Sequence, residues 1–364
     1  SRLSARYLRT EFKATKEVKQ ATVHICGLGL YELYINGNKV GDQVLAPAPT
    51  DYRKTVLYKS FDVTPLLATD NAIGVTLGNG RFYTMRQNYK PYKIPQFGYP
   101  KVRLNLIIEY TDGSEETIVS NINWKLTADG PIRNNNEYDG EEYDARKELG
   151  EWAKVGYDDS AWKPAQRVSI PDGTLRAALS SNMKVVDTVK PLTIKKLGVK
   201  HILDMGQNMA GWVRMKIKGA PGDSIRLRFA ELLKDDGELY VRNLRDARVT
   251  DIYVISGKEP KDAEWAPRFV YHGFRYVEVI GYTNPTLNDF VAEVVSDEME
   301  ITGSFDSSNK TLNQIYKNAY WGILSNYKGM PVDCPQRNER QPWLGDHAMG
   351  SWGESFMFDC GNLY

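Results

Sequence analysis

The chain has 364 residues, with 47 Lys+Arg against 46 Asp+Glu and a formal net charge of +1. A length of that order calls for two or three domains rather than one. The charge balance excludes an electrostatic footprint for nucleic acid, and no apolar run reaches the roughly 18 residues that span a bilayer, so no membrane insertion is expected and uncharged partners are favoured.

The first residues, Ser1 to Arg9, are basic without an apolar stretch. No signal peptide is visible, and the expectation is a soluble protein, periplasmic or cytoplasmic. Three cysteines, Cys26, Cys334 and Cys360, are too few and too scattered for a disulfide framework or a zinc site. No metal or cofactor is expected, and Cys334 with Cys360 is the one pairing left open. The 22 Tyr, 11 Phe and 8 Trp suit the apolar faces of sugars, but they suit an aromatic-rich β core equally well.

From about residue 5 to 300 the pattern is β. Ala21 to Cys26, Tyr31 to Ile35, Val102 to Tyr110 and Ile225 to Ala230 alternate apolar with polar at period two. Turn signals punctuate them at Asn36-Gly37, Asp112-Gly113, Pro221-Gly222 and Asp236-Gly237. Short strands at this spacing without intervening helical pattern predict two β-sandwich, jelly-roll-like domains, the first at 1–178 and the second at 179–302. The first includes the turn Asp158-Asp-Ser-Ala-Trp162; the second contains Asp204-Met-Gly-Gln-Asn-Met-Ala-Gly-Trp212, which reads as a β-turn or a sugar-contacting edge.

The period then changes. Leu312, Ile315, Tyr316, Ala319 and Ile323 fall on one face of an amphipathic helix, entered through Ser304 to Asn309 and stopped near Gly329 and Pro331. A second helix is expected after Gly345-Asp346, with Asp346 as a candidate cap and with Glu354 and His347 as solvated helix residues. Two helices form one hairpin at 303–364 whose apolar faces lack partners in this sequence, so the chain is expected to stop inside a helical domain.

Between the helices, Asp333, Glu339 and Asp346 stand with Arg337, Arg340 and Trp343 in a proline-stiffened loop. Glycoside hydrolysis needs one carboxylic acid to protonate the leaving oxygen and one carboxylate as base or nucleophile. Burial or a neighbouring carboxylate would raise the acid's pKa. By spacing alone, a capped and salt-bridged helix connector is the commoner use of these residues.

The loop Asp333-Cys-Pro-Gln-Arg-Asn-Glu-Arg340, followed by Trp343-Leu-Gly-Asp346, resembles the signature of glycoside hydrolase family 78, the bacterial α-L-rhamnosidases. Tyr31 to Gly41 and Tyr138-Asp-Gly-Glu-Glu-Tyr-Asp-Ala-Arg146 resemble that family's amino-terminal sandwich. Asp204 to Trp212 and Tyr271-His-Gly-Phe-Arg-Tyr276 resemble its second β domain. The resemblance implies an (α/α)6 barrel of which 303–364 is the first hairpin, and inverting hydrolysis of terminal α-L-rhamnosides by the intact protein. It implies Glu339 as general acid, and Asp333, Arg337, Trp343 and Asp346 as residues that bind a rhamnose-containing oligosaccharide or glycoside. Arg340 is a further orienter, and the base lies beyond this chain. Arg340-Gln-Pro-Trp-Leu-Gly-Asp346 departs from the family's commoner Arg-Leu-Gly-Trp-Thr-Gly-Asp, which suggests a divergent subgroup. The alternative is a non-catalytic carbohydrate-binding or structural β-sandwich protein.

Overall fold

The computed structural model describes residues 3–83, 98–179 and 182–364. They divide into two compact units, one within 1–85, 94–135 and 147–178, the other within 136–146 and 179–364.

The first unit is a β-sandwich. One sheet runs Arg6–Lys13, Asp70–Gly78 and Leu30–Ile35 antiparallel; the other runs Thr55–Asp62, Val18–Leu28, Lys101–Tyr110 and Glu115–Val119. Alternation sends Tyr31, Leu33 and Ile35 inward, where they meet Ile73, Val75, Val23, Ile25, Leu104 and Leu106 in a single core. Asn36 and Gly37 adopt φ of +52° and +82°, the left-handed pair that a two-residue hairpin requires. Arg9 is buried within this unit. It donates to the carbonyls of Trp152 and Lys154 and pairs with Glu11 and Asp159, so the 151–160 turn is tied down from below.

The second unit carries a large sheet in the order Gly140–Asp144, Thr250–Val254, Ser224–Ala230, His272–Ile280, Lys200–Lys216, Phe290–Asp297 and Met183–Val189. Residues 136–146, grouped on sequence with the first sandwich, cluster here because Gly140–Asp144 pairs in parallel with Thr250–Val254. Asp204 to Trp212 is no simple turn. It lies inside the Lys200–Lys216 strand, where the ladder to His272–Ile280 slips between Asp204 and Met209 and Asp204 grips Arg275 through two hydrogen bonds of 2.8 and 2.9 Å.

A polar network is sealed inside this sheet. The His272 ring nitrogen Nε2 lies 3.0 Å from both Asp251 carboxylate oxygens, and Asp251 accepts the backbone N–H of Glu141 at 2.9 Å. The Glu141 carboxylate accepts the backbone N–H groups of Arg268 and Phe269, yet its complete burial, with Asp251 nearby, pushes its pKa up to about 8. A carboxyl whose folded pKa lies above its ordinary value of 4.5 stabilises fully only below that value, and the contribution is lost as pH rises towards about 8. Thermal stability should therefore decline between pH 5 and 8, by a few kcal/mol from this group. Glu141→Gln should flatten that decline; a mutant whose melting temperature follows the wild-type pH curve would contradict it.

Two α-helices complete the second unit among the described residues. Helix α1, Lys310–Asn326, is capped by Asn309, whose side-chain oxygen accepts the N–H groups of Thr311 and Leu312. Its packed face is Tyr316, Tyr320 and Ile323 against Met357, Phe358 and Cys360. Leu312 and Ile315, on the stripe expected to lack partners in this sequence, are 47% and 58% exposed. Helix α2, Leu344–Ser355, starts before Asp346, which therefore sits in its first turn rather than capping it; the cap position is Trp343. Glu354 is not solvated: its carboxylate accepts the Tyr327 and Tyr364 hydroxyls and lies 4.0 Å from His347 Nδ1. Cys26, Cys334 and Cys360 are free and buried, so Cys334 and Cys360 do not pair. No helix of the described residues is long and apolar enough to cross a membrane.

Candidate active site

The loop between α1 and α2 is folded by its own polar side chains. The backbone N–H of Asp333 donates to the Gln341 carbonyl at 2.9 Å, and the Gln341 N–H returns to the Asp333 carboxylate at 2.6 Å. This clasp closes residues 334–340 into a ring, and its charged side chains converge.

Arg337 stands between the two acids. Its guanidinium lies 2.8 Å from Glu339 Oε2 and 3.2 Å from Asp333 Oδ2. The Trp343 indole N–H donates to Glu339 Oε1 at 3.1 Å. Asp333, Arg337, Glu339 and Trp343 therefore form one constellation. The two carboxylate side chains are each only 6% exposed, against 30% for Arg337. Asp346 stands apart, exposed on α2, with no hydrogen bond or ion pair among the described residues.

The proton affinities of the two acids diverge, opposite to expectation. Burial raises the Glu339 pKa, but Arg337, the Trp343 N–H and the charge of Arg245 outweigh it, and the net shift is below the ordinary glutamate value. Asp333 is the acid whose pKa is raised, by burial and by the charge of Glu339, against the Cys334 thiol, the Gln341 N–H and the Arg337 guanidinium that favour its ionised form. Glu339 has both cations, whereas Asp333 shares only Arg337 and faces the charge of Glu339. A third donor, the Cys334 thiol, is pushed up to about 12 by burial and by its bond to Asp333. Asp333, Cys334 and Glu339 bring donor atoms within 4.8 Å of one another. A protonated thiol and a guanidinium already bridging the carboxylates make a poor cation site.

Arg340 does not orient the acids. Its side chain is fully buried and turns the other way, donating to the backbone carbonyls of Glu137 at 2.6 Å and Tyr271 at 2.9 Å. The guanidinium lies over the Tyr271 and Tyr138 rings at 4.6 and 5.5 Å from their centroids. Arg340 itself adopts φ +52°, a backbone turn that sends Glu339 and Arg340 in different directions. The Tyr138 hydroxyl adds a bond of 3.4 Å to the Glu339 carbonyl. The loop is thus seated on the β sheet of its own unit by one residue, while its neighbour faces the polar cluster.

Arg245 was not legible as a site residue. It lies 94 positions before Glu339, after the short turn Arg242–Leu244, and places Nη1 3.0 Å from Glu339 Oε2. The only local signal is the clustering of Arg242, Arg245 and Arg248 in an otherwise β-patterned segment.

Residues 16–187 match the α-L-rhamnosidase N-terminal domain, residues 195–296 the bacterial α-L-rhamnosidase concanavalin-like domain, and residues 300–364 the bacterial α-L-rhamnosidase 6 hairpin glycosidase domain. The chain belongs to the bacterial α-L-rhamnosidase family. An α-L-rhamnosidase of Formosa agariphila is 37% identical over 99% of this chain and 39% of its own length. The α-L-rhamnosidase of Dictyoglumus thermophilum has a TM-score of 0.93 at 42% identity, covering 99% of this chain and 40% of that one. That of Streptomyces avermitilis, complexed with L-rhamnose, has a TM-score of 0.94 at 33% identity, covering 100% of this chain and 35% of that one. The chain spans about two fifths of the length of these rhamnosidases. Its β-rich part followed by two helices is the architecture the family resemblance implies.

Proposed function

We propose that this chain supplies the sugar-gripping and proton-donating half of an inverting α-L-rhamnosidase, organised as β modules at 1–178 and 179–302, with 136–146 joining the second, and a helical module at 303–364. The observation that carries the reading is the gathering of Arg337 and Trp343 on the Glu339 carboxylate, with Arg337 also held by Asp333, in a buried loop. Glu339 is the general acid. Asp333, Arg337 and Asp346 receive rhamnose hydroxyls, and Trp343 offers its ring to the sugar's apolar face while holding Oε1.

Asp333 and Glu339 cannot be the inverting pair. Their donor atoms lie within 4.8 Å, too close to admit the attacking water that a separation of about 6.5–9.5 Å accommodates. The base belongs to another part of the full-length protein. Without substrate, Glu339 is held ionised by its cations; a sugar ring that displaces water desolvates the carboxylate and favours its protonated form. The same ionised state favours a second reading, in which Glu339 only accepts sugar hydroxyls in a non-catalytic carbohydrate-binding protein.

Proton NMR of the full-length protein acting on an aryl α-L-rhamnoside separates the readings. β-L-Rhamnose should appear first and mutarotate later. Initial α-L-rhamnose would overturn the inverting mechanism, and absence of released rhamnose would favour the binding protein.

A further inference from the structure

We propose that Arg245 is a positioning residue of this site, supplied by the β part of the second unit, whose guanidinium fixes Oε2 of Glu339 and sets the aim of the carboxylate. The inference rests on the reading of Glu339 as the acid.

Among the described residues, three groups divide the Glu339 carboxylate between them. Oε1 takes the Trp343 indole N–H at 3.1 Å, while Oε2 takes Arg337 at 2.8 Å and Arg245 at 3.0 Å. Arg337 and Trp343 belong to the same loop as Glu339, so they move with it. Arg245 comes from a separate segment and is a contact that ties the carboxylate to a part of the unit outside its own loop. The other ionisable groups facing Glu339 are Asp333 and Cys334 of its own loop. Arg245 is thus the cation that does not also serve Asp333.

The backbone of Arg245 supports a specific placement. Its φ of +57° and ψ of −121° form a conformation that glycine adopts readily and a residue with a β-carbon does not. Such conformations persist where surrounding structure holds them, and here it aims a long side chain at Glu339. The Arg245 side chain is 38% exposed and the Glu339 side chain 6%. A pair with one partner so open adds little to folding stability. Its consequence falls on the aim and proton affinity of the buried partner.

The test compares Arg245→Gln and Arg245→Lys in the full-length protein, with kcat/KM for phenyl α-L-rhamnoside followed against pH. Both variants keep a β-carbon, so the backbone is equally constrained in each. In Arg245→Gln the alkaline limb should move up by about half to one pH unit, at the low end for a carboxylate losing a neighbouring cation. At neutral pH the larger protonated fraction works against the loss of aim, so the limb and not the rate is the readout, with KM changed less than about threefold. Arg245→Lys keeps the charge and should hold the limb within about 0.2 unit of wild type. An unmoved limb in Arg245→Gln overturns the proposal, whether or not the rate falls, as does a limb in Arg245→Lys displaced as far as in Arg245→Gln. Glu339→Gln run alongside separates the two claims: if it is inactive and the Arg245→Gln limb is unmoved, only the Arg245 role fails. If Glu339→Gln retains wild-type activity, the acid assignment fails and Arg245 falls with it.

Discussion

Glu339→Gln in the full-length protein is expected to lower kcat/KM for phenyl α-L-rhamnoside by about 10³-fold, within the 10²–10⁴ that a positioned general acid contributes. That corresponds to about 4 kcal/mol of lost transition-state stabilisation. Glutamine keeps the length and planarity of the side chain, and its carbonyl oxygen can still accept from Arg337 or from the Trp343 indole N–H, which the glutamate holds at 2.8 and 3.1 Å. What it removes is the transferable proton. Folding should be little affected, because the loop is held by the Asp333–Gln341 clasp and by Arg340 rather than by this carboxylate. A Glu339→Gln protein within tenfold of wild type would remove Glu339 from the chemistry.

Arg340→Met should produce the largest loss of stability, about 3 kcal/mol in urea unfolding of this chain, in the range for removing one partner of a buried charged interaction. Methionine fills much of the aliphatic stem but leaves the Glu137 and Tyr271 carbonyls without their shared donor. It also withdraws a cation from the faces of Tyr138 and Tyr271. Arg340→Lys retains the charge and one donor direction and should lose roughly half as much. A loss below about 1 kcal/mol for Arg340→Met would mean that the loop is seated by other contacts. Because Glu339 precedes Arg340 directly, the full-length Arg340→Met protein should lose activity as well as stability.

Much of this arrangement was readable from local spacing. Period-two alternation at Tyr31 to Ile35 found a real strand, Asn36-Gly37 a real hairpin turn, and the Ser304 to Asn309 stretch a real helix entry. The loop residues Asp333, Arg337, Glu339 and Trp343 are close in sequence, so their convergence needed only a tight turn. What escaped has a common physical cause: it depends on which distant surface a residue meets. Arg340 looked like an orienter of its neighbours, but carbonyls some 70 and 200 positions away claim it. Glu354 looked solvated because neither Tyr327 nor Tyr364 is its helical neighbour. The expected rise in the Glu339 pKa failed chiefly for a local reason, the Arg337 guanidinium and the Trp343 N–H on the carboxylate, with Arg245 adding its charge from outside the motif.

A carboxylate that merely grips the sugar and one that delivers a proton are distinguished by the leaving group. The measurement is the loss in kcat/KM caused by Glu339→Gln in the full-length protein, taken on phenyl and on 2,4-dinitrophenyl α-L-rhamnoside. A dinitrophenolate departs without protonation, so a missing acid should cost about 10³-fold on the phenyl substrate and less than about tenfold on the dinitrophenyl one. Equal losses on both would contradict the account and make Glu339 a binding residue.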